Sequence, residues 1–304
     1  APAVHLAATG GHVGCMRLLL EARACLERRD GQGRTALNIA AEEGHAQVAE
    51  MLIEAGQDAD AATPQGATPL FSAASRGRSG LVRLLLTARA DQDRRNEQEE
   101  TPVWAAAHQG HSGVVQILAE SGSDLDRPDR NGRTPLWASA GCGHWDVVGF
   151  LLAARADVER ADASGTSPLW IAARQGYLET VRLLSQAGAS HGVNRTGASP
   201  LWIAAARGHM QMVQLLVEAR AKIAEARAPM ATTPVWIASA SGHLQIVRAL
   251  VEAAADARAD CGGVSPRDIA LRHGHIHVAE FWDATFPNRG GSSAGSGQGQ
   301  AVRI

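Results

Sequence analysis

The segment Ser199-Pro200-Leu201-Trp202-Ile203-Ala204-Ala205-Ala206-Arg207-Gly208-His209 reads as one short helix with both ends marked. Ser199 supplies a side-chain oxygen for the free N–H groups of the first turn, and Pro200 takes the first helical position, where no N–H is needed. Small residues follow where a neighbour must approach, and Gly208 closes the helix. Beyond it, Met212-Val213-Gln214-Leu215-Leu216-Val217 carries an apolar stripe at helical spacing, which predicts a second helix. One such pair cannot bury its apolar face alone, so it must stack on neighbours of the same kind.

The chain supplies those neighbours. Thr35-Ala36-Leu37, Thr68-Pro69-Leu70, Thr101-Pro102-Val103, Thr134-Pro135-Leu136 and Ser167-Pro168-Leu169 stand 33 residues apart. Ser199-Pro200-Leu201, Thr233-Pro234-Val235 and Ser265-Pro266-Arg267 continue the series with one-residue slips. A second mark runs in phase: Gly-His at His12, His45, His111, His144, His209, His243 and His275, with Gly77-Arg78 and Gly176-Tyr177 keeping only the glycine. The polar links between pairs, such as Asp124 to Arg133, carry turn residues.

This combination of Thr-Pro-Leu, Ala-Ala, Gly-His and a Leu-rich second helix resembles the ankyrin repeat family over almost the whole chain. The resemblance implies an all-α solenoid of about nine helix-turn-helix units joined by short hairpin-like fingers. Residues 1–34 would form a partial first repeat, 35–264 the central repeats and 265–286 a short C-terminal capping repeat. The Gly/Ser-rich residues 287–304 are expected to be a disordered tail. Ala1-Pro2 falls inside a repeat without an initiator Met, which reads as the start of a fragment or processed product.

Two departures from the family pattern stand out. Where the family carries His after Thr-Pro-Leu, this chain has Phe71, Trp104, Trp137, Trp170, Trp202 and Trp236. Regular recurrence favours a packing ladder, each indole filling space and donating to a carbonyl, over a row of anchors for a ligand. At the end of the second helix the family prefers Gly, as at Gly56, Gly122 and Gly188, but Arg23, Arg89, Arg155, Arg220 and Ala254 share that register. Either these residues adopt a left-handed backbone at a cost of about 1 kcal/mol each, or the turns relax to another geometry.

Composition narrows the function. With 29 basic and 31 acidic residues the formal charge is −2, which gives no broad field for nucleic acid or an anionic membrane surface. Cys15, Cys25, Cys142 and Cys261 form neither a CxxC pair nor a disulfide framework, which suits an intracellular, cytoplasmic setting. The repeated histidines stand a repeat apart, too far for metal-ligand spacing, and His273, His275 and His277 lack a Cys or carboxylate partner in a known pattern. No catalytic constellation, cofactor motif or membrane-spanning run is present, so catalytic, cofactor and metal residues are all expected to be none.

In the family, partners use the fingers and the concave face made by the first helices. The matching helix ends here carry Glu42, Glu43, Arg76, His108, Gln109, Arg174, Gln175, Arg207 and Arg272. These vary while neighbouring alanines hardly change, as adjustable contact residues on a fixed frame should. Arg174 and Arg207, one repeat apart, would clamp an acidic segment, and Glu42 with Glu43 would make the row electrically graded. The finger charges, among them Asp124, Asp126, Asp129, Asp157 and Asp162, are expected to be merely solvated. Asn194-Arg195-Thr196 matches a glycosylation motif by coincidence. The chain is therefore expected to be a monomeric, non-catalytic module that binds another protein or peptide, as part of a larger adaptor or signalling protein; a structural spacer without a concave-face partner is the alternative.

Overall fold

The computed structural model describes residues 3–219, 232–253 and 260–286. Arg220, Ala254, Pro2 and the tail over residues 287–304 lie outside the described residues. The helices come in antiparallel pairs: α1 (Ala3–Gly10) with α2 (Val13–Glu21), α3 (Ala36–Glu43) with α4 (Ala46–Glu54), and α5 (Pro69–Ser75) with α6 (Ser79–Thr87). Next come α7 (Pro102–Gln109) with α8 (Ser112–Glu120), α9 (Pro135–Cys142) with α10 (Trp145–Ala153), and α11 (Pro168–Gln175) with α12 (Leu178–Gln186). The last are α13 (Pro200–Arg207) with α14 (Met210–Glu218), α15 (Pro234–Ala240) with α16 (Leu244–Glu252), and α17 (Pro266–Arg272) with α18 (Ile276–Thr285). Each first helix packs on the first helices before and after it, and each second helix does the same, which builds an all-α ankyrin-type solenoid.

The local marks act as their chemistry dictates. Thr35, Thr68, Thr101, Thr134, Ser167, Ser199, Thr233 and Ser265 are all N-caps whose hydroxyl accepts a backbone N–H from the first turn. Behind them the interior is continuous. Leu37, Leu70, Leu136 and Leu169 are fully buried, with Leu52, Leu85, Leu118, Leu151 and Leu184 from the second helices. Alanines such as Ala40, Ala106, Ala172 and Ala204 have no exposed surface, which lets adjacent first helices approach closely.

At the last pair, Arg267 and Asp283 replace the apolar Leu201 and Val217 of an inner repeat. The guanidinium binds the Asp283 carboxylate at 2.5 and 2.9 Å, an ion pair where an inner repeat has two apolar side chains. The second helix of that pair is complete, running to Thr285.

The fingers are turns held by side chains. Asp129 Oδ1 accepts the N–H groups of Asn131 and Arg133 at 2.9 and 2.8 Å. Asp162 and Asn194 cradle their own loops in the same way, which occupies the Asn194 side chain within its turn. Further carboxylates link one repeat to the next: Asp126 accepts from the Asp157 N–H at 2.9 Å and Asp93 from Asp124 at 3.2 Å. Mere solvation is therefore the wrong description of these acids, because each accepts a backbone N–H of its own finger or of the next one. Fingertips are also tied by main-chain bonds, Glu97 N–H to Gln65 O, Arg130 to Gln98 and Ala163 to Asn131, at 2.8–2.9 Å.

The arginines in the glycine register are strained. Arg23, Arg89 and Arg155 have φ of 52°, 63° and 63°, so the backbone stays left-handed. The cause is the turn itself: the Ala156 N–H returns to Leu151 O at 3.0 Å, which requires that geometry of the residue before it. Arg89→Gly combined with Arg155→Gly should stabilise the chain by about 1 kcal/mol per site, read as an upward shift of the urea midpoint.

Candidate functional site

The indoles occupy the seam between first helices and fingers. Trp104 Nε1 donates to Arg133 O at 2.9 Å, Trp137 to Thr166 O at 2.9 Å and Trp170 to Ala198 O at 3.0 Å. Trp202 donates to Thr232 Oγ1 at 3.0 Å and Trp236 to Val264 O at 2.9 Å. Each bond ties one repeat to the strip of chain that caps the next. Sequence reasoning missed that His5 belongs to the same register, with its Nε2 within 3.3 Å of Arg34 O. Asn38 holds the register in α3 but turns back on Thr35 as a capping box, and Phe71 has no donor. A cleft of about 250 Å³ opens beside Phe71, lined in part by Arg34, Glu42, Thr63, Gln65 and Arg76.

Arg133 is a second residue that the sequence reading passed over. Its guanidinium lies 5.9 Å from the Trp104 ring centre and 5.4 Å from that of Trp137, and it pairs with Asp129 at 2.8 Å. A cation held between two indoles by a carboxylate fixes the fingers against the ladder. The available signal was the Asp-x-x-x-Arg spacing, shared by Asp30 and Arg34.

The histidine rings brace the turns. His45, His111, His144 and His209 place Nε2 within 2.9, 3.1, 3.0 and 3.2 Å of Thr9, Ser75, His108 and Arg174 carbonyls in the preceding repeat. No group of three His, Cys, Asp or Glu side chains suited to a metal ion occurs among the described residues.

On the row of helix ends, Glu42 and Arg76 meet at 2.7 Å, and Arg34 reaches the other Glu42 oxygen at 2.9 Å. Burial would raise the Glu42 pKa, but the hydrogen bonds from Arg76 and Arg34 outweigh it and hold the carboxyl below its ordinary range. The expected gradient is thus blunted: Glu42 is spent on an internal network and only Glu43 remains exposed there. His108 stacks on Trp104 with ring centres 5.1 Å apart, and burial pushes its pKa down despite the opposing charge of Glu100. Gln109, Gln175 and Arg272 are exposed on their separate repeats. Arg174 and Arg207 are exposed as well, and neither makes an ion pair among the described residues; Arg174 lies 6.0 Å from the Trp170 ring centre.

A stack of small helix pairs with a fixed seam and a variable row of helix ends defines a repeat scaffold for recognition. A family model described as ankyrin repeats (3 copies) matches residues 1–63, 70–162, 123–195, 156–228 and 187–256, so the chain belongs to the ankyrin repeat family. A crystal structure of the human ASB11 ankyrin repeat domain is similar, with a TM-score of 0.65 and 29% identity over 71% of this chain and 97% of that one. No curated protein matches the chain. Ankyrin repeats generally mediate protein–protein interactions and are typically non-catalytic scaffolds. No helix among the described residues is long and apolar enough to cross a membrane.

Proposed function

We propose that this chain is the recognition portion of a larger adaptor or signalling protein and that its concave row binds an acidic segment of a partner protein. The observation that carries this reading is the pair Arg174 and Arg207, exposed on consecutive repeats and, among the described residues, outside any ion pair. Their backbones sit on α11 and α13, whose capped, ladder-bonded positions fix the separation of the two attachment points, so the ordering cost on binding is confined to the side chains. The module acts as a monomer inside the cell, in the cytoplasm, a setting that suits the exposed, unbridged thiols Cys15 and Cys25.

The test is affinity capture of a partner, identification by mass spectrometry, and titration of the purified pair. Arg174→Ala with Arg207→Ala should weaken binding at least tenfold, about 1.4 kcal/mol, and flatten its salt dependence. A partner bound with unchanged affinity by the double variant would reject the assignment.

A further inference from the structure

At position 38 the ladder has its surroundings but no ring. Trp104 reaches Arg133 O and Trp137 reaches Thr166 O, each 29 residues on, and His5 reaches Arg34 O by the same interval. From Asn38 that interval leads to Ala67. The carbonyls of Arg133 and Thr166 each accept two bonds, one from their own finger and one from an indole. Among the described residues the Ala67 carbonyl accepts only the Thr63 N–H, at 2.9 Å. The cation matches as well. Arg133 lies over Trp104, 29 residues before it, and Trp137, four after it. Arg34, paired with Asp30 as Arg133 is with Asp129, has His5 and Asn38 at those two places. Glu42 holds the helix-end position from which His108 stacks on Trp104 one step along the row. Asn38 Oδ1 is committed to Thr35, and its buried Nδ2 has no hydrogen-bond partner, so the asparagine completes the cap and not the ladder.

Arg34, Glu42 and Ala67 all line the cleft of about 250 Å³, together with Phe71, Ser72 and Arg76 of the next repeat. The network of Glu42 with its two arginines borders this space without filling it. A cavity of about 150 Å³ holds a benzene ring, so this one has room for a bicyclic ring. We propose that the cleft is a docking site for a tryptophan side chain of a partner protein, its indole beside the Arg34 guanidinium and its N–H donated to the Ala67 carbonyl. The chain itself answers the same set of acceptor and cation with an indole at Trp104 and Trp137. Phenylalanine would leave the carbonyl unmet, and an aliphatic side chain would offer the cation no π face. Tryptophan is also among the residue types most enriched as binding anchors. The inference rests on the chain being a protein-binding module but uses the second and third repeats, away from Arg174 and Arg207 on the sixth and seventh.

The test titrates N-acetyl-5-fluorotryptophanamide, a probe for a tryptophan within a chain, against the whole protein by fluorine NMR. Saturable binding is expected. The ring-N-methyl analogue, which has no donor, and the fluorophenylalanine counterpart should each bind about fivefold more weakly. Asn38→Trp, which puts the chain's own indole into the cleft, should weaken probe binding at least tenfold and raise the urea midpoint. Ser72→Ile, which narrows the cleft and copies Ile171 at the same register, should weaken it as much with helix content unchanged. Should Asn38→Trp lose helix content, Ser72→Ile decides. Arg174→Ala with Arg207→Ala should leave probe affinity as it is. No saturation, equal binding by the methylated or phenyl analogue, or unchanged affinity in the cleft variants overturns the proposal. Tighter binding of free 5-fluorotryptophan than of the amide would make the cleft a small-molecule site and overturn it too. A probe that does not bind, beside a captured partner that still loses affinity with the arginine double variant, would remove the cleft and leave the protein-binding reading standing.

Discussion

Trp170→Ala should lower the unfolding free energy by about 3–5 kcal/mol, the cost of emptying a large buried aromatic site. Trp170 is only 8% exposed, and its Nε1–H donates to Ala198 O at 3.0 Å, so the change opens a void and also cuts the tie to the next repeat. Trp170→Phe keeps most of the volume and should cost less, with the lost hydrogen bond contributing about 1 kcal/mol. Trp145→Ala, at an indole 58% exposed, should stay within about 0.5 kcal/mol of the parent. Urea unfolding of the three variants checks the order. Equal losses at Trp170 and Trp145 would show that the seam carries no special burden.

Gly110→Ala should cost about 2–3 kcal/mol, from two sources of similar size. Gly110 caps α7 with φ of 80°, where an L side chain is strained by about 1–2 kcal/mol. A Cβ there would also stand 2.6 Å from His144 Nδ1. The ring must move, and it takes with it the contact of Nε2 with His108 O at 3.0 Å. Gly188 separates the two sources, because its φ is 84° yet nothing lies within 4 Å of a Cβ built on it. Gly188→Ala should therefore cost only the backbone part. Matched urea midpoints for the two alanine variants would refute the bracing role given to the histidine.

The repeat architecture was legible because its signals are local. A Thr or Ser hydroxyl that caps a helix acts within three residues, and a proline beside it adds a second constraint of the same range, so the period could be read without any tertiary knowledge. Ties across repeats were less visible. His5 shares the seam with the tryptophans but is a different residue in a helix lacking the Thr-Pro mark, so composition hid it. Glu42 looked like a free acid of the concave row; Arg34 reaches it from the finger that leads into its own helix, and Arg76 from the next repeat. Arg133 likewise gains its place only when two indoles from successive repeats flank it. The finger acids were misjudged for a similar reason. Their charge suggested water, whereas the deciding fact is which backbone donors the loop strands beside them.

The fingertip bonds have a mechanical consequence. They lie along one edge of the stack, so they behave as tie bars on one side of a jointed arch: spreading two repeats at their fingers breaks a main-chain bond, while tilting them together leaves every bond made. Flexing is therefore lopsided, stiff toward straightening and compliant toward tighter curl. Among the four main-chain ties of the described fingertips the longest is Arg195 N–H to Ser164 O, at 3.3 Å against 2.8 Å between Ala163 and Asn131, so of these joints it is the one that yields first when the arch is pulled straight.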